Sequence, residues 1–372
     1  MTHRTRHLAS LDAFRGVAVA GMIVVNNPGN WNSVFEALTH ADWNGCTLAD
    51  LVFPFFIFIL GAAMPFAFSL RIEQGHQRRD LYLRIARRAA WLVALGLVLN
   101  VVAAVPSVTA LRIPGVLQRI GLVYLITAPI VMNVRPAWRA VTLVGLILAH
   151  WALLMLVPVD GVALGLAQSH NLEAFIDKAI FGRHILAATG DPEGLLGTIP
   201  AVASALFGSL AGDWLRQDRP VPRRVAGLII GGSVALIGGV IWKSTLPLNK
   251  SLWTGSFVLF TGGLATLILA ACYVLLDVLD QGSWADGFLW LGFNPLAIYF
   301  LSEAVGHLLD KSWLPVGGQY LPPRTWLFWD VLRPLIPGIG DEWISLAFAL
   351  LTVALWTALA GVLYRRGVRI QV

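Results

Sequence analysis

Apolar stretches of about twenty residues recur along the whole chain, separated by polar segments rich in arginine, glycine and proline. A helix needs about 20 residues to cross the hydrocarbon core of a bilayer, so this spacing restricts the chain to a helical membrane fold. Ten spans are read, at roughly 10–27, 48–70, 85–104, 115–132, 138–157, 195–214, 225–242, 253–276, 288–308 and 342–364. A transmembrane β-barrel would instead show alternating segments of about ten residues. The charged fraction agrees: Asp, Glu, Lys and Arg make up 13% of the chain, against about 25% in soluble domains. The expected fold class is all-α, a polytopic membrane protein of about ten transmembrane helices. Residues 1–372 are expected to form one integral-membrane domain with lipid as its surrounding partner.

The net charge of +6 could point to nucleic acid, but the basic residues flank apolar spans, where they orient helices in the membrane. No nucleic-acid partner is therefore expected. Placing the N-terminus in the cytoplasm assigns eighteen of the 27 basic residues to cytoplasmic segments, among them Arg4, Arg6, Arg15, Arg87 and Arg88. The other nine are spread over longer external loops, which satisfies the positive-inside rule. Both termini are expected inside, and the first span, with no small-residue cleavage site after it, is not expected to be a cleaved signal. Two cysteines, Cys46 and Cys272, make no disulfide framework. The loops at 158–194 and 309–341 are rich in Gly, Pro and Trp and are expected to be ordered caps.

Polar residues in or beside spans need a partner or a task, and several cluster here. Asp12 and Arg15 share a helix face, either as an interfacial ion pair or with Arg15 free to meet a phosphate. Asn26 and Asn27 close the first span before Pro28-Gly29. The stretch 40–61, HADWNGCTLADLVFPFFIFILG, fuses a reactive-looking cluster to a span. His40 in it is suited to proton transfer near neutral pH, and Asp50 is placed to orient it or to bind a polar substrate. An amide such as that of Asn26 can donate to a developing oxyanion. Arg112 and Arg119, seven residues apart, are expected on one helix face. Glu303 and His307 resemble half of a metal site, but with no HExxH motif or cysteine cluster no metal is expected. Walker A, GxGxxG and GxSxG patterns do not occur, which removes the common soluble nucleotide-binding and hydrolase signatures.

LDAFRG, VNNPG with HADWNGCTLADLVFPFFIF, RIPGVLQRIGLVY, DPEGLLGTIPA, LNKSLWT and GFNPLAIY follow one another in this order from Leu11 to Tyr299. This order resembles the heparan-α-glucosaminide N-acetyltransferase family, and most of all its bacterial branch associated with amino-sugar use. The large external domain that precedes the first motif in the animal enzyme is expected to be absent. The resemblance implies a transmembrane acyltransferase-like bundle in a bacterial inner membrane, with acetyl-CoA as cytoplasmic donor and an amino sugar as acceptor at the non-cytoplasmic face. His40 matches the family's catalytic histidine. Asn26 matches its upstream asparagine, although the intervening segment is longer here, so the adjacent Asn27 also fits. The resemblance makes Arg15, Arg87 and Arg88 candidates for the donor's phosphates. Trp43, Asn44, Asp50, Glu193, Asn249 and Lys250 are candidates for the sugar.

Within that reading His40 is either a general base or a transient acetyl carrier. Two other classes stay open: a sugar permease using intramembrane Asp, Glu and His as a proton relay, and an O-acyltransferase acting on an envelope glycan. The absence of an internal repeat counts against the permease. Gly-rich spans seven and eight permit close helix packing, which leaves a homodimer open.

Overall fold

The computed structural model describes residues 8–106, 109, 111–158, 165–168 and 170–370. Arg4, Arg6 and parts of the expected loops at 106–115 and 158–194 lie outside the described residues. The chain folds into α1 (Ala9–Asn26), α2 (Leu48–Glu73), α3 (Arg78–Ala104), α4 (Val116–Asn133) and α5 (Pro136–Leu156). A short α6 (Leu172–Phe181) precedes α7 (Thr198–Arg216), α8 (Val221–Trp242) and α9 (Gly255–Cys272). Then come α10 (Asp286–Phe293), α11 (Pro295–Leu309), a hairpin of β1 (Leu314–Val316) and β2 (Gln319–Leu321), α12 (Pro323–Trp326), α13 (Arg333–Leu335) and α14 (Asp341–Arg365).

Among the described residues, eight helices are long and apolar enough to cross a membrane. A ninth span exists if α10 and α11, bent by 77° at Asn294, count as one. The protein is thus an all-α polytopic membrane protein. The remaining expected span, 195–214, is α7, which carries Asp213 and Arg216 near its end and packs against α2, α4, α5 and α9. Its small residues Ala201, Ala203 and Ala205 are fully buried, so other helices surround it.

Close backbone approach sets the centre of the bundle. A Cβ on Gly61 of α2 would stand 1.9 Å from the Ala205 carbonyl oxygen of α7, and one on Gly208 1.9 Å from that of Phe58. Only glycine lets these two helices touch. Gly16 of α1 meets Phe288 of α10 in the same way, and this seats the broken span against the first helix. On α8 and α9, Gly232, Gly239 and Gly263 are used in the contact between those two helices. The same glycines are therefore no argument for a dimer.

The caps are ordered where described. Gly317 and Gly318 both have positive φ, 57° and 85°, the conformation a two-residue hairpin turn requires, and they close β1 on β2. Behind the hairpin, buried Arg324 donates to the Pro28 carbonyl at 2.7 Å and to Asp310 at 2.5 Å. It ties the turn after α1 to the end of α11.

Candidate active site

The sequence around Thr47 builds the His40 site. Thr47 caps α2 and Asp50 occupies the third helical position, forming a capping box. Asp50 Oδ2 accepts from the backbone N–H of Ala41 and of Thr47, both at 3.1 Å. This leaves Oδ1 for the His40 ring, at 2.8 Å from Nδ1. Asp50 is 1% exposed while His40 is 49% exposed. With Nδ1–H held by the carboxylate, the lone pair is on Nε2. The cap thus fixes the polypeptide and the imidazole together.

Lys250 lies over the ring, its Nζ 3.2 Å from both Nδ1 and Nε2 and 3.8 Å from Asp50 Oδ1. Burial lowers the Lys250 pKa, and Glu193 and Asp50 oppose the change by favouring the ammonium. The LNKSLWT turn carries Lys250: Asn249 accepts from the Leu252 N–H at 2.8 Å and donates to Asn44 at 3.2 Å. Gly45 donates to the Leu248 carbonyl at 2.8 Å, so the segment 44–45 docks on this turn. Trp43 donates its indole N–H to the Leu166 carbonyl at 2.6 Å. Cys46 stands in the same segment, but burial and then Asp50 push its thiol up to about 12. A thiol so held is a poor nucleophile.

Five of the expected residues, His40, Asn44, Asp50, Asn249 and Lys250, are therefore brought together directly. Trp43, Asn44 and Asn249 have polar atoms committed to protein partners and act as the frame of the cluster. Glu193 joins through charge: it acts on Lys250 and is ion-paired with Arg112. Arg112 also grips Asp191 with two bonds, at 2.8 and 2.5 Å. Burial works against the Asp191 carboxylate, but the Arg112 bonds hold it below its ordinary value.

The expectation that Arg112 and Arg119 share a helix face is corrected. Arg112 precedes Pro114-Gly115 in an extended segment, and the helix begins at Val116. Buried Arg119 donates to the Gly194 carbonyl at 2.6 Å and lies 3.8 Å from Glu173. Both arginines meet the 173–194 segment, one from the loop and one from the helix.

Asn26 has a different neighbour. Its amide donates to Glu303 Oε1 at 2.9 Å, and both line a cavity of about 390 Å³ whose wall includes Arg112 but not His40. Asn27 is buried and donates to the Ile23 carbonyl at 3.2 Å. That bond turns its amide back onto α1, and Asn27 does not line the cavity. Glu303 as the partner of Asn26 was not legible beforehand; its spacing from His307 was the one signal present.

At the far end of α1 the charges are basic. Arg15 bonds Asp12 at 2.7 Å and the Gly292 carbonyl at 3.3 Å. Arg88 and Arg369 are near enough to repel it. Arg88 lies 4.8 Å from the Tyr124 ring centroid and, among the described residues, its buried Nε has no hydrogen-bond partner. Arg87, its neighbour on α3, points outward and is exposed. The chain end is fixed there because Asn294 bonds the Val368 carbonyl and the Ile370 N–H, both at 2.9 Å. An orphaned guanidinium donor beside two more arginines suits phosphate oxygens. Among the described residues, no group of three or more His, Cys, Asp or Glu is placed to hold a metal ion.

Comparison with known proteins bears directly on this arrangement. Residues 7–225 match the family described as heparan-alpha-glucosaminide N-acetyltransferase, catalytic. The human heparan-alpha-glucosaminide N-acetyltransferase is 30% identical over 365 residues, covering 83% of this chain and 54% of that protein. The mouse protein of the same name is 28% identical over 368 residues, with the same coverage. The chain spans about half the length of these curated relatives. The match takes in Asn26, His40, Asp50, Arg15 and Arg88, but not Asn249 or Lys250, and the chain belongs to the heparan-alpha-glucosaminide N-acetyltransferase catalytic family.

Proposed function

We propose that the protein is a transmembrane N-acetyltransferase of a bacterial inner membrane. It moves an acetyl group from cytoplasmic acetyl-CoA to the amine of a glucosamine-type sugar at the non-cytoplasmic face. The observation that carries this reading is the His40–Asp50 pair, 2.8 Å long and locked into a helix cap, at the opposite end of the bundle from Arg15 and Arg88. Along α1 the eleven residues from Arg15 to Asn26 rise about 16 Å. The extended pantetheine arm of the donor suits such a separation: phosphates rest on Arg15 and Arg88, and the thioester reaches toward the His40 end.

His40 Nε2 takes the proton of the acceptor amine as nitrogen attacks the thioester carbonyl. Asp50 holds the ring in that tautomer and stabilises the imidazolium formed. An amide carries two N–H donors; one of Asn26 is given to Glu303, and the second is the donor assigned to the developing oxyanion. Collapse expels the CoA thiolate, and the imidazolium returns the proton to it. In the carrier variant Nε2 attacks first and the CoA thiolate leaves; the amine then attacks the acetyl-imidazole, and the departing imidazole takes the amine's proton. Lys250 must release the Nε2 lone pair in either route, and Glu193 and Asp50 are the carboxylates that can receive its ammonium.

The test is to offer the purified protein labelled acetyl-CoA with glucosamine, short amino-sugar oligomers and plain sugars. Label is expected on the amines and on none of the plain sugars. Label on hydroxyls alone would turn the reading to an O-acyltransferase, and no label on any amine would sink it. Acetylated His40 recovered after incubation with acetyl-CoA alone selects the carrier variant.

A further inference from the structure

The cavity beside Asn26 holds further polar groups to which the mechanism above assigns no contact with the acceptor. Glu303 and His307, one helical turn apart on α11, both line it, and Tyr299 lies one turn earlier on the same face. Glu303 has Asn26 as its hydrogen-bond partner, a neutral amide. Among the described residues, neither the ring nitrogens of His307 nor the hydroxyl of Tyr299 makes a hydrogen bond, although Tyr299 is only 4% exposed. The other charges of the lining are already spent. Arg112 is held by Asp191 and Glu193, and Asp310 by Arg324. Trp31, 56% exposed, offers a flat apolar face in the same lining.

A carboxyl within a span whose hydrogen-bond partner is a neutral amide, and which shares the field of Arg324 with Asp310, favours a further cation beside it. Tyr299 and His307 add hydrogen-bonding groups for hydroxyls, and an indole face suits the C–H surface of a pyranose. A volume of about 390 Å³ is that of a small-molecule site. From these features we infer that the cavity between α1, α3, α4 and α11 seats a cationic amino sugar. Glu303 binds its ammonium, Tyr299 and His307 bind ring hydroxyls, and Trp31 covers the ring. The inference rests on the acceptor class proposed above and adds where that acceptor docks. Arg112 and Glu193 form the partition: Arg112 lines the cavity, and Glu193 acts on the Lys250 that lies on His40.

Two measurements test this, one of which needs no transfer. In Val116→Cys, a thiol is placed in the cavity lining, and its alkylation is followed by mass spectrometry of the peptide, without acetyl-CoA. Glucosamine is expected to slow labelling at least fivefold, glucose at the same concentration less than twofold. Equal labelling with and without glucosamine, or equal protection by glucose, would overturn the inference. In Glu303→Gln, which keeps shape and the Asn26 contact but removes charge, KM for glucosamine is expected to rise at least tenfold. The KM for acetyl-CoA stays within about twofold; an unchanged glucosamine KM would also overturn it. Protection without transfer to any amine would leave the site standing and remove the proposed reaction. Transfer without protection would do the reverse.

Discussion

The two polar ends of this bundle spend their charges differently. At the His40 end cations are matched by acids: His40 by Asp50, Arg112 by Asp191 and Glu193, and Arg324 by Asp310. At the Arg15 end aromatic rings take the place of acids. Arg88 lies over Tyr124, Arg365 over Trp290 and Arg369 over Phe293, and among these arginines and Arg15 one acid, Asp12, forms an ion pair. A ring face holds a guanidinium without neutralising it. Matched pairs fix geometry in advance, which proton transfer needs; cations held by ring faces keep their positive charge uncompensated.

The largest expected effect comes from breaking the matched end. His40→Ala is expected to lower acetyl transfer by about 10² to 10⁴-fold, the range of a positioned general base, with acetyl-CoA binding retained. Equal loss of both in an equilibrium binding assay would return His40 to a structural role. Asp50→Asn keeps the cap's shape but loses the charge that holds Nδ1–H, and a loss of about 10² is expected. Its thermal unfolding should move little, since a neutral side chain still caps the helix. A large fall in unfolding temperature with a proportionate fall in activity would mean that Asp50 serves the helix alone.

At the unmatched end the prediction is smaller and concerns binding. Arg88→Gln is expected to raise KM for acetyl-CoA about tenfold at unchanged kcat, one charge-assisted contact being worth roughly 1.5–3 kcal/mol. Arg87→Gln, next to it but facing outward, should change KM less than twofold. Steady-state kinetics at two salt concentrations check this, because the Arg88 effect shrinks with added salt. Equal effects from both substitutions would make the contribution one of general field and not of a built site.

Much of this contrast was legible before any coordinates. Span length and arginine spacing give the helices, because a helix crossing lipid must satisfy its backbone internally. The capping box at 47–50 is a local signal too, but from the sequence Asp50 is expected only to orient His40 or to bind a polar substrate. What could not be read are contacts between distant segments: Asn26 and Glu303 are 277 positions apart, and the bonds of Arg112 to Asp191 and Glu193 join two loops. The Arg112–Arg119 pairing failed for a reason present in the sequence, because Pro114-Gly115 stops a helix from including both. Periodicity alone weighs the seven-residue spacing and misses the breaker.

Among the carboxyls of the His40 end that depart from its matched pattern, Glu173 supplies the smallest effect. Glu173 on α6 is 3% exposed; its Oε1 accepts from the Gly197 N–H at 2.9 Å, Arg119 stays 3.8 Å away, and Oε2 has no partner. Burial raises its pKa to about 8 from an ordinary 4.5, and Arg119 only partly offsets this. A raised folded-state pKa means the folded protein binds more protons than the unfolded chain between those values. The Glu173 contribution to stability is complete below pH 4.5 and is lost as pH rises through about 8. The slope from this one group is at most about 1.4 kcal/mol per pH unit. Unfolding temperatures of the detergent-solubilised protein should fall across this window, and Glu173→Gln should flatten the fall while leaving the low-pH value nearly unchanged. A slope that persists in Glu173→Gln would assign it to other groups and place Glu173 among the matched charges of its end.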